Sequence, residues 1–282
     1  MRSSMLRLTL SALAFCGAAA PAPAETLKVA YGISLVGLPL GSADLSTTVD
    51  GSKYKVEVGA KLTGLAGLLM GGKGAASSAG AVPGAQPEPS TFAVTSRSGK
   101  DERTVRMGLT AGNVAALDIA PPLEEKADRV PLKEAHKRGV VDPVSALLMP
   151  ASVAGNPTDP ANCNRTIPIF DGAARFNVVL TYGGTKTVEK SGYKGPVIVC
   201  NARYVPIAGH RALRPSTKFM EENKDMEVWL APIQGTRVLL PLRISVRTMI
   251  GMSVVEASQW ALASDAKVVP TAGQAMKAGA VR

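Results

Sequence analysis

The chain has few of the residues that most enzymes use for chemistry. It contains two histidines and three cysteines among 282 residues, and only 4% of its residues are aromatic. So small a supply of imidazole and thiolate ligands argues against a metal site. The scarcity of aromatic side chains, without a recognisable binding module, argues against nucleic-acid binding. We predict no cofactor, no metal and no nucleic-acid partner, and the sequence has no catalytic motif.

The N-terminus has the features of a secretory signal. Arg2 and Arg7 lie at the start of an apolar stretch, and Ala22-Pro23-Ala24 has the small residues of a cleavage site. The apolar stretch is shorter than the roughly 20 residues that are needed to cross a bilayer. We therefore predict a signal peptide at residues 1–24, cleavage after Ala24, no transmembrane span after cleavage, and a periplasmic location.

Two cysteines, Cys163 and Cys200, remain after cleavage because Cys16 leaves with the signal. An even number of cysteines in an exported protein favours a disulfide over free thiols or a metal site. The two residues lack the C-x-x-C spacing of a redox-active pair. We predict that they form a structural disulfide.

The positive charge of the chain has two interpretations. The formal net charge of +10 becomes +8 when Arg2 and Arg7 are removed with the signal. Such a charge suits contact with anionic envelope polymers or lipid head groups. The alternative is that the charged side chains only face water and bind no partner. Lysine and arginine are scattered along the chain without forming runs, which favours the alternative.

Alternation of apolar and polar side chains, the pattern of half-buried β-strands, recurs along the chain. It is clear in residues 53–62 and 237–247, and Asp50-Gly51 is typical of a tight hairpin turn. An antiparallel sheet with one apolar face has to curl or close to cover that face. We predict an all-β fold: a long antiparallel sheet curled into an incomplete barrel or β-spiral, with a few short helices. Its concave interior is either a cavity that suits an acyl chain or a packed core.

The domain prediction is one all-β unit over residues 25–265. Residues 71–90 are rich in glycine, alanine, serine and proline, which indicates either a low-complexity loop or a glycine-rich strand. Residues 266–282 have small side chains and no periodicity, which predicts a disordered tail. Pro241 cannot donate a ladder hydrogen bond, so its strand is expected at an edge or with a bulge.

Helical signals are short and few. Asp142-Pro143 offers an N-cap carboxylate and a proline at the first helical position for a helix over residues 144–149. Residues 65–70 and 215–222 have room for a turn or two each.

Of the two histidines, only His210 has a setting that suits acid–base chemistry. It follows a proline- and glycine-containing stretch and precedes Arg211, whereas His136 lies in a charged, solvated stretch. No serine or cysteine nucleophile lies near His210 in the sequence, so we favour a structural role in closing a turn. An envelope hydrolase that uses His210 with a carboxylate is the alternative.

Several short motifs from residue 142 onward carry a family likeness. They are residues 142–146, 167–172, 193–196 and 203–210, together with Cys163 and Cys200. With these motifs the chain, from about Leu27 to Leu262, resembles an uncharacterised family of exported proteobacterial proteins known only as a domain of unknown function. It is also distantly similar to alphaproteobacterial periplasmic proteins that fold as a curled β-spiral with one disulfide and are linked to envelope integrity.

These observations together predict a non-catalytic periplasmic protein, not an enzyme. We expect it to bind an envelope lipid, a glycan or a periplasmic partner protein and to support cell-envelope integrity. A structural scaffold in an envelope complex is an alternative, beside the hydrolase. The candidate functional surface is the junction that the disulfide would hold. It comprises Phe170, Asp171, Arg203, Tyr204, His210 and Arg211.

Overall fold

A computed structural model describes residues 26–63, 72–151, 156–190 and 192–263. The predicted signal peptide and the predicted disordered tail lie outside these residues, as does the helical turn predicted at residues 65–70. The described residues form 14 β-strands, one α-helix, α1 (Pro215–Glu222), and short 3-10 helices at Glu134–Lys137, Ser145–Leu147 and Pro160–Asn162. The strands are β1 (Thr26–Leu35), β2 (Leu38–Asp50), β3 (Lys53–Leu62), β4 (Gly72–Ala81), β5 (Glu88–Ser98), β6 (Asp101–Thr110), β7 (Asn113–Ala120), β8 (Met149–Pro150), β9 (Arg165–Phe170), β10 (Arg175–Lys190), β11 (Tyr193–Ala208), β12 (Met226–Pro232), β13 (Val238–Thr248) and β14 (Gly251–Ala263).

All the strands belong to one antiparallel sheet, which confirms the predicted fold class. The order is β7-β6-β5-β4-β3-β2-β1-β14-β13-β12-β11-β10-β9, and β8 pairs with β13 outside this path. The first and last strands are neighbours, with Leu27 opposite Leu262. The chain therefore builds the sheet outward from a central β1–β14 pair, and β7 and β9 are its two edges.

The sheet does not close by strand pairing, but a segment of the chain lies between its edges. Val141 forms a parallel bridge with Ile169 of β9. The adjacent Val140 N–H donates to the Gly112 carbonyl in the β6–β7 turn, at 2.8 Å. This segment, residues 140–148, therefore links one edge strand to the hairpin at the other edge, and we call it the inner segment.

The concave face of the sheet is packed with the protein's own chain. Val140, Val144 and Leu148 are buried and belong to the same apolar cluster as Leu27 of β1 and Val56 of β3. Burying side chains of this size contributes roughly 1.5–3 kcal/mol each. The interior was expected to be either a cavity for an acyl chain or a packed core. In this part of the molecule it is a packed core.

Of the stretch 71–90, which the sequence left open between loop and strand, residues 72–81 form β4, residues 82–87 form no strand and residues 88–90 begin β5. The small residues of β4 are required by the close approach of β5. A Cβ atom on Gly80 would lie 2.2 Å from the Glu88 carbonyl oxygen, and one on Gly74 would lie 3.2 Å from the Thr95 oxygen. Because residue 80 is a glycine, β4 can pair with β5 at the point where the register shifts.

Three local predictions are refined by the structure. The strand β13 is not an edge strand, but Pro241 pairs only with β12, because the pairing with β14 covers residues 243–248; the register shift beside Pro241 fits the expected bulge. Residues 144–149 form only the 3-10 helix Ser145–Leu147. The helix expected at residues 215–222 is α1.

Candidate functional site

The predicted disulfide between Cys163 and Cys200 is present, with the two Cα atoms 5.3 Å apart. Both cysteines are fully buried in an apolar cluster that includes Ile167 and Leu230. Cys163 precedes β9, Cys200 lies within β11, and β10 runs between these two strands. The bridge therefore fixes three neighbouring strands, and its sulfur atoms face the core.

The first pair of candidate residues shapes the β9–β10 turn. Phe170 is fully buried. The Asp171 carboxylate accepts backbone hydrogen bonds from Ala173 and Ala174 at 2.8 and 2.7 Å. Two charge-assisted bonds of this kind hold a tight turn, so Asp171 is committed to the backbone. Phe170 offers no surface to a partner, which corrects its place in the predicted site.

Two further candidates, Arg203 and Tyr204, lie on β11. Arg203 donates to the Glu221 carbonyl of α1 at 3.3 Å. The Tyr204 ring packs against Phe176 with centroids 5.1 Å apart. Burial raises the pKa of Tyr204, and the charges of Asp171 and Glu221 raise it further. Arg203 therefore holds α1 against the sheet, and Tyr204 packs across β10 and β11.

The last two candidates, His210 and Arg211, are held by the segment around residue 129. The His210 carbonyl accepts from the Val130 N–H at 2.9 Å. Among the described residues, the buried His210 Nδ1 has no hydrogen-bond partner. Arg211 forms a 2.9 Å ion pair with Asp128. Asp128 is thus paired with Arg211, and no carboxylate of the described residues is hydrogen-bonded to the His210 ring, as the acid–base pair of a hydrolase would be.

A buried polar cluster lies inside the sheet, at the motif that begins with Asp142. The Tyr54 hydroxyl and the Ser145 Oγ are 2.6 Å apart, and Ser78 Oγ donates to Asp142 Oδ2 at 2.9 Å. Ser145 Oγ also donates to the Asp142 carboxylate. Burial raises the pKa of the Asp142 carboxyl and raises that of Tyr54 to about 12. These hydrogen bonds join Tyr54 of β3 and Ser78 of β4 to Asp142 and Ser145, and so they anchor the inner segment to the sheet.

Two depressions lie on the outer face of the sheet. One, of about 980 Å³, crosses β14 and β1 to β5, where small residues such as Gly59, Ala75 and Ala93 leave the backbone uncovered. A second, of about 430 Å³, shares Gly59 and Ala75 with the first. Their floor is a stripe of small side chains, and the charged side chains of Lys28, Asp44 and Glu57 line the first of them.

A row of basic side chains crosses the second depression. Lys61 of β3 pairs with Lys73 of β4, and Lys73 pairs with Arg97 of β5. Like charges at directly opposed positions destabilise a sheet. Arg97 is neutralised by Glu102, whereas Lys61 and Lys73 have no ion pair within the described part of the chain. We call Lys61, Lys73 and Arg97 the basic row.

Two hairpin turns at one end of the sheet expose large apolar side chains. The β1–β2 turn exposes Val36 by 64% and Leu38 by 69%, and the β13–β14 turn exposes Met249 by 59% and Ile250 by 74%. The two turns touch, because the Val36 N–H donates to the Met252 carbonyl at 2.8 Å. We call Val36, Leu38, Met249 and Ile250 the apolar tip.

The apolar tip was missed by the sequence reasoning, although the sequence carries a signal for it. Hairpin turns favour polar residues and glycine, yet Val36 precedes Gly37 and Met249-Ile250 precedes Gly251. Bulky apolar residues at turn positions are the unusual feature. Their meeting in one patch depends on the pairing of β1 with β14.

Two further features are absent from the described residues. Their His, Cys, Asp and Glu side chains form no group of three that could hold a metal ion. None of their helices has the length and apolar character needed to cross a membrane.

Comparison with known proteins gives one family match and one fold match. The model of a family described as "Protein of unknown function (DUF3108)" matches residues 26–258. No curated protein matches the chain. A crystal structure of a β-barrel-like protein of the domain of unknown function DUF1849 from Brucella abortus is similar, with a TM-score of 0.51 and 10% identity. The match covers 85% of this chain and 98% of that chain, and it concerns the fold alone.

Proposed function

The chain belongs to the DUF3108 family of proteins of unknown function, and for this member we propose a non-catalytic role in the bacterial periplasm. It binds an envelope lipid, a glycan or a partner protein, and it supports the integrity of the cell envelope. The disulfide supports an oxidising compartment, where such bonds persist. The interpretation of residues 1–24 as a signal peptide is part of the same proposal.

The observation that carries the proposal is the apolar tip. Contiguous apolar side chains exposed on a folded protein mark interaction surfaces, whereas single exposed apolar residues are ordinary. The concave face is occupied by Val140, Val144 and Leu148, so a bound molecule would be held on the outside of the sheet. The protein therefore acts through its surface, in the manner of an interaction protein.

A structural scaffold in an envelope complex is the second candidate. It is favoured by the same two features, a packed interior and an apolar surface outside it. In this case the apolar tip would pack against another envelope protein. The two candidates differ in what occupies the tip, so the occupant distinguishes them.

Capture from the native compartment tests the proposal. The protein is purified from the periplasmic fraction for native mass spectrometry, and cells are crosslinked before lysis in a parallel experiment. We expect a bound lipid or glycan, or a crosslinked envelope protein. Ile250→Ser should reduce the capture, whereas Leu213→Ser, at a residue that is 68% exposed outside the tip, should not. A protein that carries nothing and crosslinks to nothing would refute the proposed function.

A further inference from the structure

We propose that the apolar tip inserts into the surface of a lipid bilayer that contains anionic lipid, with the basic row against the lipid phosphates. The proposal rests on the proposed function and names the partner as the membrane surface itself. A bilayer interface presents hydrocarbon beneath a layer of phosphate. A protein end that carries apolar side chains with unpaired cations behind them is complementary to both layers.

The two turns form one projecting unit. A Cβ atom on Gly251 would lie 2.3 Å from the Val36 Cγ2 atom, so the turns are packed without a gap. The Val36 N–H donates to the Met252 carbonyl. The four apolar side chains of the tip are therefore presented together, at the ends of paired strands.

Val36 has a backbone conformation that its side chain disfavours. Val36 and Gly37 both have positive φ, at 51° and 79°, and Leu35 pairs with Leu38, which defines a two-residue turn. Such turns favour Asn-Gly, because asparagine tolerates the left-handed region. A β-branched residue there is an outlier that local stability does not explain. An apolar side chain that is 64% exposed at the tip does explain it, because most of that side chain is left free for binding.

The depression behind the tip has an excess of positive charge, because its three cations, Lys61, Lys73 and Arg97, outnumber its two carboxylates, Asp44 and Glu102. Lys61 and Lys73 face each other without a carboxylate partner among the described residues, although opposed like charges weaken the sheet. On the other flank, Arg247 is paired with Asp225 at 3.8 Å, and the exposed Lys224 has no ion pair in the described ranges. Phosphate groups would relieve the repulsion between the two lysines.

The spacing between tip and cations matches the interface. Lys61 pairs with Ser42, which lies four residues beyond Leu38 along β2, or about 13 Å at the rise of a strand. Apolar side chains of interfacial proteins are buried about 5–10 Å into the boundary between head groups and acyl chains. A lysine side chain can extend toward the tip by snorkelling. The ammonium groups of Lys61 and Lys73 thus reach the phosphates when the tip is inserted.

Flotation with vesicles tests this assignment. Protein purified from cells, with the same N-terminus in all variants, is mixed with vesicles of phosphatidylcholine alone or of phosphatidylcholine with phosphatidylglycerol. We expect the wild type to bind the anionic vesicles and to lose affinity as salt increases. Val36→Asn should bind about tenfold more weakly, from loss of the valine's burial. Replacing Lys61 and Lys73 together by glutamine should weaken binding about 30-fold and flatten the salt dependence.

Matched variants separate the tip from general surface effects. Leu213→Ser removes an exposed apolar residue outside the tip, and Lys53→Gln removes a cation at the opposite, β2–β3 end of the sheet. Both should bind anionic vesicles as the wild type does. Circular dichroism and thermal unfolding of each variant establish that a loss of binding does not come from a loss of folding.

Three outcomes would overturn the membrane assignment. The first is that the protein does not bind anionic vesicles. The second is that folded Val36→Asn binds them as strongly as the wild type does. The third is that sedimentation experiments show a self-associated protein and that this self-association depends on Val36. If vesicles are not bound but the native protein carries a glycan or crosslinks to an envelope protein, the membrane assignment fails and the proposed function stands.

Discussion

Ser78 and Asp142, 64 positions apart in the chain, are joined by a buried hydrogen bond of 2.9 Å from the serine hydroxyl to the carboxylate. The bond attaches the inner segment to β4 on the concave face of the sheet. The same carboxylate accepts the Val144 and Ser145 N–H groups, each at 2.9 Å. Asp142 therefore holds the backbone at the start of the 3-10 helix and fixes the segment that fills the interior.

The first prediction concerns the pH dependence that Asp142 confers. Burial raises the pKa of this carboxyl in the folded protein above its value in the unfolded chain. The folded state thus binds the proton more tightly, so the stabilising contribution is present below the unfolded pKa of about 3.9 and is lost as pH rises through the folded pKa. Relative to Asp142→Asn, which has no carboxyl to titrate, the wild type should lose free energy of unfolding as pH rises above about 4.

Urea unfolding between acidic and neutral pH measures this difference. Asp118→Asn is the matched control, because Asp118 is exposed and its ion pair with Arg106 lies on the surface. Surface pairs contribute about 0–1 kcal/mol, so this control should follow the wild type closely. A difference in the free energy of unfolding between the wild type and Asp142→Asn that stays constant with pH would contradict the prediction.

The second prediction concerns the disulfide. Cys163 and Cys200 close a loop with a sequence separation of 37 and are buried in the core. Replacing both by alanine should lower the free energy of unfolding by about 2–5 kcal/mol, because the unfolded chain gains freedom and the core around the sulfur atoms packs less densely. Urea unfolding of the oxidised protein measures the decrease, and a reductant should destabilise only the wild type. An unchanged midpoint in the double variant would show that the bridge is dispensable.

The third prediction concerns the close pairing of β4 with β5. Gly80→Ala would place a methyl group against the Glu88 carbonyl, 2.2 Å away, and should destabilise the protein by about 1–3 kcal/mol. Gly32→Ala is the matched control, because nothing lies within 4 Å of its Cβ position and its φ is not positive. Thermal unfolding compares the two variants. Equal effects would mean that strand distance does not require glycine at position 80.

The fourth prediction separates stability from binding at the apolar tip. Asparagine tolerates the positive φ of Val36 better than valine does. Val36→Asn should therefore increase the free energy of unfolding, by about 1 kcal/mol, while it weakens vesicle binding. Leu38→Asn, at the first residue of β2, should weaken vesicle binding without increasing the free energy of unfolding. Chemical unfolding measures stability, and a destabilised Val36→Asn would remove the argument from backbone strain.

The sequence alone determined most of the local structure. Period-two alternation identified the strands because the side chains of a strand point to opposite faces, whatever its neighbours are. Asp50-Gly51 marks the β2–β3 turn and Pro215–Glu222 the helix α1, since both depend on local backbone preferences. The pairing of Cys163 with Cys200 followed from having only two candidates after Cys16 is set aside.

Only the tertiary structure decided the neighbours of each strand and therefore the candidate site. Alternation states that a strand has a buried face, but it does not state which strand lies beside it. The sequence placed Phe170 on a surface, whereas packing in the apolar cluster that contains Val105 and Val140 buries it. Val36 and Ile250 form one tip because β1 pairs with β14, a contact between the two ends of the described chain. Such long-range pairings depend on the free energy of the whole folded sheet, which no local pattern contains.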